Sequence, residues 1–184
     1  MKHIEISKRI FHFKQPAGTS RGIYTTRQSY FLTLTDDGMP GIKGVGECAP
    51  LPKLSCDDLS DYETILHQIC KLVESTDKIP YDLLRPYPSI LFGLETAFAQ
   101  LKAHGSTMLF DTPFGRGEEG IRINGLVWMG SFDEMAERLE AKLRQGFHCV
   151  KLKIGAIDFE KEIELMNNET ENFINSLKKL EKEY

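Results

Sequence analysis

Two lysines separated by a single residue are the strongest candidates for chemistry in this sequence. Lys151 and Lys153 stand in a run of aliphatic and β-branched residues that is typical of a strand. Side chains two positions apart in a strand lie on the same face, about 6–7 Å from each other, so both amines would enter one space while Val150, Leu152 and Ile154 face the other side. Two like charges at this spacing disfavour each other's protonation, and an unprotonated lysine can act as a general base. The alternative is two surface lysines on an exposed strand face, because K-x-K is a common pattern.

Two further segments carry side chains suited to binding a small ligand. Thr19, Ser20 and Arg21 offer two hydroxyls and a guanidinium, which together suit an anion. Glu47 closes a predicted strand and precedes a loop stiffened by two prolines, so it could line a pocket or act as a catalytic carboxylate. Both segments also have a plain structural interpretation, as a polar loop and as a strand exit with a solvated or salt-bridged glutamate. The single tryptophan, Trp128, is predicted to be a core or barrel-rim residue rather than part of a binding box.

Three short runs rich in β-branched and aromatic residues predict antiparallel strands in the first part of the chain. They are Ile4–Phe13, Tyr30–Thr35 and Ile42–Cys48. A polar loop is predicted between the first two strands, over residues 15–22. Two glycines inside the third strand predict a bulge or a close approach of another backbone.

Helical spacing of apolar residues follows these strands. Ser55–Asp58 resembles a capping box, and apolar residues at helical spacing continue from Leu59 to Val73. A second helix is predicted from about Ser89 to His104, after two prolines. Three strands followed by helices make residues 1–114 an α+β unit.

The pattern changes after residue 114. A short strand is predicted over residues 121–127, and the S-x-x-E capping box at Ser131–Glu134 opens a helix. Gly146 suits the C′ position of that helix, and residues 148–154 predict a second strand. A strand, a helix and a strand in this order form a βαβ unit with parallel strands, which opens an α/β barrel or a doubly wound sheet.

Composition excludes several classes of protein. The 184 residues hold 23 Lys and Arg against 27 Asp and Glu, a net charge of −4, and no basic stripe, which argues against a nucleic-acid partner. No apolar run approaches the roughly 18 residues that cross a membrane, and the start is not a secretory signal, so we expect a cytoplasmic protein. The cysteines, Cys48, Cys56, Cys70 and Cys149, lack metal-binding spacing and are expected to be buried or semi-buried free thiols, with neither a disulfide nor a zinc site.

Taken in order, five segments resemble the enolase superfamily, and within it the o-succinylbenzoate synthase family of the menaquinone pathway. The segments are Gly18–Gly22, Gly46–Pro52, Phe92–Ala97, Asn124–Leu126 and Gly146–Gly155. The resemblance extends over about residues 2–165.

The resemblance implies an α+β capping domain, residues 1–114, followed by the start of a (β/α) barrel, residues 115–184. It implies that Lys153 removes the proton α to a substrate carboxylate, that Lys151 modulates its charge state, and that the two loops cover the substrate. It also implies a Mg²⁺ ion held by three acids on later barrel strands. The reaction would be the loss of water from a cyclohexadiene carboxylate, which gives o-succinylbenzoate.

The end of the sequence departs from the family pattern. Residues 156–184 are too few for six further strands, so we expect the barrel to be incomplete in this chain. Residues 158–184 predict one helix, in which the acids cannot stand singly at the ends of separate strands. These acids are Asp158, Glu160, Glu162, Glu164, Glu169 and Glu171. We therefore expect the Mg²⁺ ligands to be absent from this chain and the isolated chain to be inactive.

Other functions stay open. A dipeptide epimerase or a muconate-type cycloisomerase of the same superfamily would use the same K-x-K base with different loop residues. A non-catalytic binding or interaction protein would keep the α+β unit and dock its carboxy-terminal helix on a partner. An incomplete sheet also exposes an edge, so we expect self-association, or association with a chain that supplies the rest of the barrel.

Overall fold

The computed structural model of the chain describes residues 1–19, 22–153, 155, 158–161, 163–167 and 171. The chain divides into two compact units, the first made of Met1–Ala17 with Tyr24–Gly120 and the second of Gly18–Ile23 with Ile121–Tyr184. Along the chain the elements are β1 (Lys2–Thr19), β2 (Gly22–Asp36), β3 (Gly44–Cys48), α1 (Tyr62–Thr76), α2 (Pro88–Lys102), β4 (Gly125–Val127), α3 (Phe132–Arg144) and β5 (Val150–Leu152). The predicted division at residues 114 and 115 stays a prediction.

The first unit is built on a three-stranded sheet in the order β1–β2–β3. β2 and β3 are antiparallel, with Tyr30 opposite Cys48 and Leu34 opposite Gly44. Side chains of a strand alternate between its two faces, and Tyr30, Leu32 and Leu34 are all buried on the face that the helices cover. Helical residues that complete this core include Leu66, Ile69, Val73, Ile90 and Leu94. The predicted α+β arrangement of the first part of the chain is thereby confirmed.

The connection between the first two strands differs from the prediction. β1 runs to Thr19 and β2 begins at Gly22, so residues 15–19 are strand and not loop. Side chains along residues 8–16 are exposed, whichever way they point. Hydropathy distinguishes a strand from a loop only where one face is buried, which is why the polar pattern here was misleading. The prediction of a loop over residues 15–22 is wrong for its described residues.

Helix α2 lies directly on the backbone of β3. A Cβ atom added to Gly44 would overlap the carbonyl oxygen of Ala97, and one added to Gly46 would overlap the carbonyl oxygen of Gly93. A Cβ atom on Gly93 would in turn overlap the sulfur of Cys48. The close backbone approach predicted from the strand glycines is confirmed, and it brings the helix nearer to the sheet than any side chain would allow.

We expect Gly46→Ala to lower the free energy of unfolding by about 1–3 kcal/mol or more, because the added methyl group has only backbone atoms to displace. The measurement is the urea midpoint of the purified chain. Gly120→Ala is the matched control, since nothing lies within 4 Å of a Cβ atom placed there. Equal midpoints for the two variants would contradict the proposed backbone contact.

The predicted capping box at Ser55–Asp58 does not open a helix, because α1 begins only at Tyr62. Asp57 instead binds the first turn of α2. Its Oδ2 accepts hydrogen bonds from the backbone N–H of Ser89 at 2.8 Å and from the Ser89 hydroxyl at 2.5 Å. Ser89 lies in the first turn of α2, where backbone N–H groups have no partner within the helix. Asp57 is 1% exposed, so it joins the segment before α1 to the start of α2 inside the core.

Replacing Asp57 by alanine removes an acceptor from two buried donors, and we expect a loss of about 1–3 kcal/mol in the free energy of unfolding. Asp57→Asn keeps one acceptor oxygen and is expected to lose less. Asp82→Ala is a suitable control because the Asp82 side chain is 95% exposed. The urea midpoints of the three variants are compared. An equal midpoint for Asp57→Ala and the control would refute the role of Asp57 as an acceptor for Ser89.

The second unit contains the predicted βαβ arrangement. β4 and β5 pair in parallel, with Gly125 opposite Val150 and Val127 opposite Leu152, and α3 connects them. Ser131 caps α3 through a complete capping box, as predicted. Gly146 has a φ of 80°, which confirms its predicted place after the helix. Both strands are shorter than predicted.

A small core joins α3 to the parallel strands. Its buried members are Val127, Met135, Leu139 and Leu165, with Val150 and Leu152 packed against them. Leu165 belongs to the predicted last helix, of which residues 159–161 and 163–167 are helical. Asp158 is described and is not helical, Glu171 is helical, and the other residues of that predicted helix lie outside the described residues. No helix within the described part of the chain is long and apolar enough to cross a membrane.

All four cysteines are free, as predicted. Cys48 and Cys70 lie in the core of the first unit, where burial raises the pKa of both thiols, that of Cys70 to about 12. Cys56 and Cys149 are exposed, so the prediction of buried or semi-buried thiols is wrong for these two. The two buried thiols are therefore protonated and unreactive at neutral pH.

Candidate functional site

The two lysines of the K-x-K pattern lie on the face of β4–β5 that α3 does not cover. Val150 and Leu152 pack against the α3 core, and alternation along the strand places Lys151 and Lys153 on the opposite face. Lys151 is exposed and stands opposite Leu126 in the parallel ladder. Lys153 is half-buried, and its backbone N–H donates to the carbonyl oxygen of Val127 at 3.0 Å. Ile154 lies outside the described residues.

The position of this face in the fold suits a reactive group. Lys153 follows the last residue of β5, and in (β/α) barrels the reacting groups stand at the carboxyl ends of the strands. The catalytic roles of Lys151 and Lys153 stay predictions. The packing of α3 on the other face explains why the two lysines alternate with apolar residues in this strand.

The described residues around the first predicted loop, Gly18 and Thr19 at the end of β1 and Gly22 and Ile23 at the start of β2, belong to the same compact unit as the parallel strands. Thr19 is the last residue of β1. Ser20 and Arg21 lie outside the described residues, as does the side chain of Thr19. The binding role of these three residues stays a prediction.

Glu47 lies in the first unit, on β3, opposite Phe31. Its side chain is half-buried, and its Oε1 accepts a hydrogen bond from the hydroxyl of Ser29 at 2.6 Å. Ser29 itself is completely buried. Glu47 is therefore held against the open face of the sheet, on the side away from the helices, and is not a freely solvated strand-end residue.

Arg27 is a polar neighbour of Glu47 that the sequence analysis missed. Both line a shallow groove of about 220 Å³ whose other walls are Phe11, His12 and Phe13. Arg27 Nη2 donates to the carbonyl oxygen of Ala49 at 3.3 Å, while its buried Nε has no hydrogen-bond partner among the described residues. The signal that could have found it is the period of two along β2, which puts Arg27 and Ser29 on the same face as Glu47.

A second cleft, of about 280 Å³, lies beside the segment that follows β3, and Pro50 and Pro52 form part of its lining. Its polar centre is Glu63, whose Oε2 accepts from the Lys8 ammonium at 2.9 Å and from the Tyr30 hydroxyl at 3.0 Å. The hydrogen bond from Lys8, with that from Tyr30, lowers the pKa of the Glu63 carboxyl. Burial, followed by the bond to Glu63, raises the pKa of Tyr30.

The described residues do not fit a magnesium ion. They contain no group of three or more His, Cys, Asp or Glu side chains that could hold a metal. Asp158, Glu160, Glu164 and Glu171 are exposed. Glu162 and Glu169 lie outside the described residues.

The chain is similar in sequence and in structure to several known proteins. Residues 15–101 match the family described as MenC, N-terminal domain. The chain is 36% identical over 195 residues to the o-succinylbenzoate synthase of Desulfotalea psychrophila, which covers 88% of this chain and 51% of that protein. The crystal structure of MenC from the same organism has a TM-score of 0.65 at 28% identity and covers 93% of this chain and 53% of the other.

Two other solved structures share the fold at lower identity. The substrate-liganded L-Ala-D/L-Glu epimerase from Bacillus subtilis has a TM-score of 0.63 at 23% identity, covering 90% of this chain and 48% of that chain. The o-succinylbenzoate synthase from Thermosynechococcus elongatus, with Mg in the active site, has a TM-score of 0.60 at 21% identity, covering 89% and 46%.

The α+β unit and the parallel βαβ unit give the chain the fold of these enzymes of the enolase superfamily. The chain is similar to the o-succinylbenzoate synthases in sequence and in structure, as its sequence motifs predict. The chain spans about half the length of the relatives it matches. An α+β capping domain followed by the first part of a barrel is thereby confirmed as the fold class.

The lowered pKa of Glu63 predicts a pH-dependent contribution to stability. A carboxyl whose pKa is lowered by folding stabilises the folded state above its ordinary value of 4.5, and this contribution is lost as the pH falls through the lowered pKa. We expect Glu63→Gln to be less stable than the wild type near neutral pH, and the difference in urea midpoint to shrink below about pH 4.5. Lys8→Gln is the matched variant, because it removes the other partner of the ion pair. If the losses of stability of the two single variants add up in the double variant, the interaction between Lys8 and Glu63 does not stabilise the fold.

Proposed function

We propose that this chain provides the general base and the amino-terminal part of the active site of an o-succinylbenzoate synthase. Lys153 takes the proton α to the substrate carboxylate, and Lys151 keeps a second positive charge beside it. The observation that carries the proposal is the placement of both amines on the one face of β4–β5 that α3 leaves open.

The chemistry requires a base and a positive environment together. Removing the α-proton leaves its electron pair on the carbon, and the charge spreads onto the carboxylate oxygens. The positive charge of Lys151 beside it stabilises that charge. The electron pair then forms the new double bond as the C–O bond on the adjacent carbon breaks. The departing hydroxyl group takes the proton that Lys153 removed and leaves as water, so the amine is free again and the ring becomes aromatic.

The substrate in this proposal is a small cyclohexadiene carboxylate. Thr19, Ser20 and Arg21 bind it, which is supported by the membership of Thr19 and of Gly22 in the same compact unit as β5. Glu47, near the end of β3, contributes on sequence grounds. We place the protein in the cytoplasm, without a nucleic-acid or membrane partner.

A magnesium ion belongs to the proposal only with ligands from outside the described residues. Because the described residues do not fit it, its carboxylate ligands would come from a chain that supplies further barrel strands, or from self-association. When bound, the ion would supply additional charge stabilisation for the oxygens of the carboxylate. The proton transfer assigned to Lys153 does not depend on its position.

A dipeptide epimerase is the second candidate, and the similarity to the Bacillus subtilis epimerase structure favours it. Both reactions begin with removal of a proton α to a carbonyl group, so the lysine pair serves either. The higher identity to a synthase, 36%, favours dehydration.

The test combines this chain with the separately expressed carboxy-terminal half of the Desulfotalea psychrophila synthase, in the presence of Mg²⁺. We expect dehydration of the cyclohexadiene carboxylate, monitored by absorbance. We expect no epimerisation of L-Ala-L-Glu, monitored by NMR in D₂O. Lys153→Ala is expected to lower the rate of dehydration at least 10³-fold, on the order of the contribution of a general base. Lys161→Ala is the control, since this lysine is exposed. A rate unchanged by Lys153→Ala, or turnover of the dipeptide alone, would overturn the proposal.

A further inference from the structure

The single tryptophan directly follows β4, as Lys153 directly follows its parallel partner β5. The hydrogen bond from Lys153 N to Val127 O belongs to the last pair of the ladder, Val127 and Leu152, so Trp128 and Lys153 are the next residues after this pair on the two chains. Val127 is completely buried against α3, so alternation puts its neighbour Trp128 on the open face. Leu126 and Lys151 form the preceding pair of the same face.

Trp128 is 44% exposed, which excludes the core position considered from the sequence. The open face thus combines two positive charges with an indole and the half-buried Leu126. Amines pair with carboxylates, and an indole packs on flat unsaturated rings, so this combination suits a cyclic carboxylate.

Helix α3 fixes the backbone that carries the indole. Arg138 Nη1 donates to the carbonyl oxygens of Trp128, at 3.4 Å, and Met129, at 3.3 Å. Arg138 also pairs with Glu134 at 3.6 Å, and Glu134 accepts from the backbone N–H of Ser131 in the capping box. A side chain that recognises a ligand gains precision when a rigid element supports it.

We infer that Trp128 is a specificity-determining residue: its indole packs against the unsaturated six-membered ring of the carboxylate whose α-proton faces Lys153. The inference rests on the proposed function, because it places the substrate at Lys153. It explains how the same lysine pair would favour a cyclic substrate over a dipeptide, which has no flat ring to pack on the indole.

The chain contains one tryptophan, so its fluorescence reports on this position alone. The full chain is titrated with o-succinylbenzoate and with L-Ala-L-Glu, with emission and calorimetric heat recorded in parallel. We expect o-succinylbenzoate to change the emission saturably and to bind more tightly than the dipeptide. Trp128→Leu is expected to weaken o-succinylbenzoate binding about 3- to 10-fold, the range typical of one aromatic contact, and to leave dipeptide binding unchanged.

Two further variants separate recognition from folding. Trp128→Phe retains an aromatic ring and is expected to recover most of the affinity. Phe159→Leu alters another exposed aromatic residue of the same unit and is expected to change nothing. Urea midpoints of all variants show whether the fold is intact.

The outcomes distinguish this inference from the proposed function. Calorimetric binding of o-succinylbenzoate without a change in emission, or with equal affinity in Trp128→Leu, overturns the role of Trp128 and leaves the proposed function standing. Absence of binding to the full chain also overturns the inference as stated here. Failure of the dehydration assay with the complementing half, in contrast, counts against the proposed function.

Discussion

The contact of helix α3 with one face of the β4–β5 pair decides which side chains of the second unit are left for chemistry. A strand has two faces, and the helix takes one of them with its apolar side chains. The residues it covers are Val127, Val150 and Leu152. The alternate residues, among them Lys151 and Lys153, are thereby displayed on the other face. Reactivity at this position is a consequence of packing as much as of the lysines themselves.

Local signals in the sequence predicted local features well. The Ser131 capping box and the C′ position of Gly146 were predictable because both depend on residues within a few positions of each other. Asp57 was assigned to the wrong helix because its partner, Ser89, is 32 residues away. The open-face position of Trp128 depends on the register of two strands, which hydropathy alone does not contain. Distance along the chain, more than residue type, limited the prediction of the site.

The first unit shows how a segment without regular structure can be held in place. Residues between β3 and α1 are anchored at separate points: the Tyr24 hydroxyl donates to the carbonyl oxygen of Pro52, the Ser55 hydroxyl accepts from the N–H of Leu51, and Asp57 bonds to Ser89. The bonds to Tyr24 and Ser89 join the segment to β2 and to α2, and the bond between Leu51 and Ser55 lies within the segment. The segment that follows Glu47 is thus fixed by hydrogen bonds and not by its prolines alone, which agrees with its expected use as one wall of a site.

The length of β1 has a consequence for the colloidal behaviour of the protein. β1 is an edge strand of the sheet, Lys2–Thr19, and the far half of it has side chains open to water. A long free edge offers its backbone groups to the strands of other molecules, and natural sheets discourage such pairing with charge. Lys8, Arg9 and Lys14 are distributed along this edge. Charged side chains at these positions disfavour pairing of this edge with the edge of a neighbouring molecule.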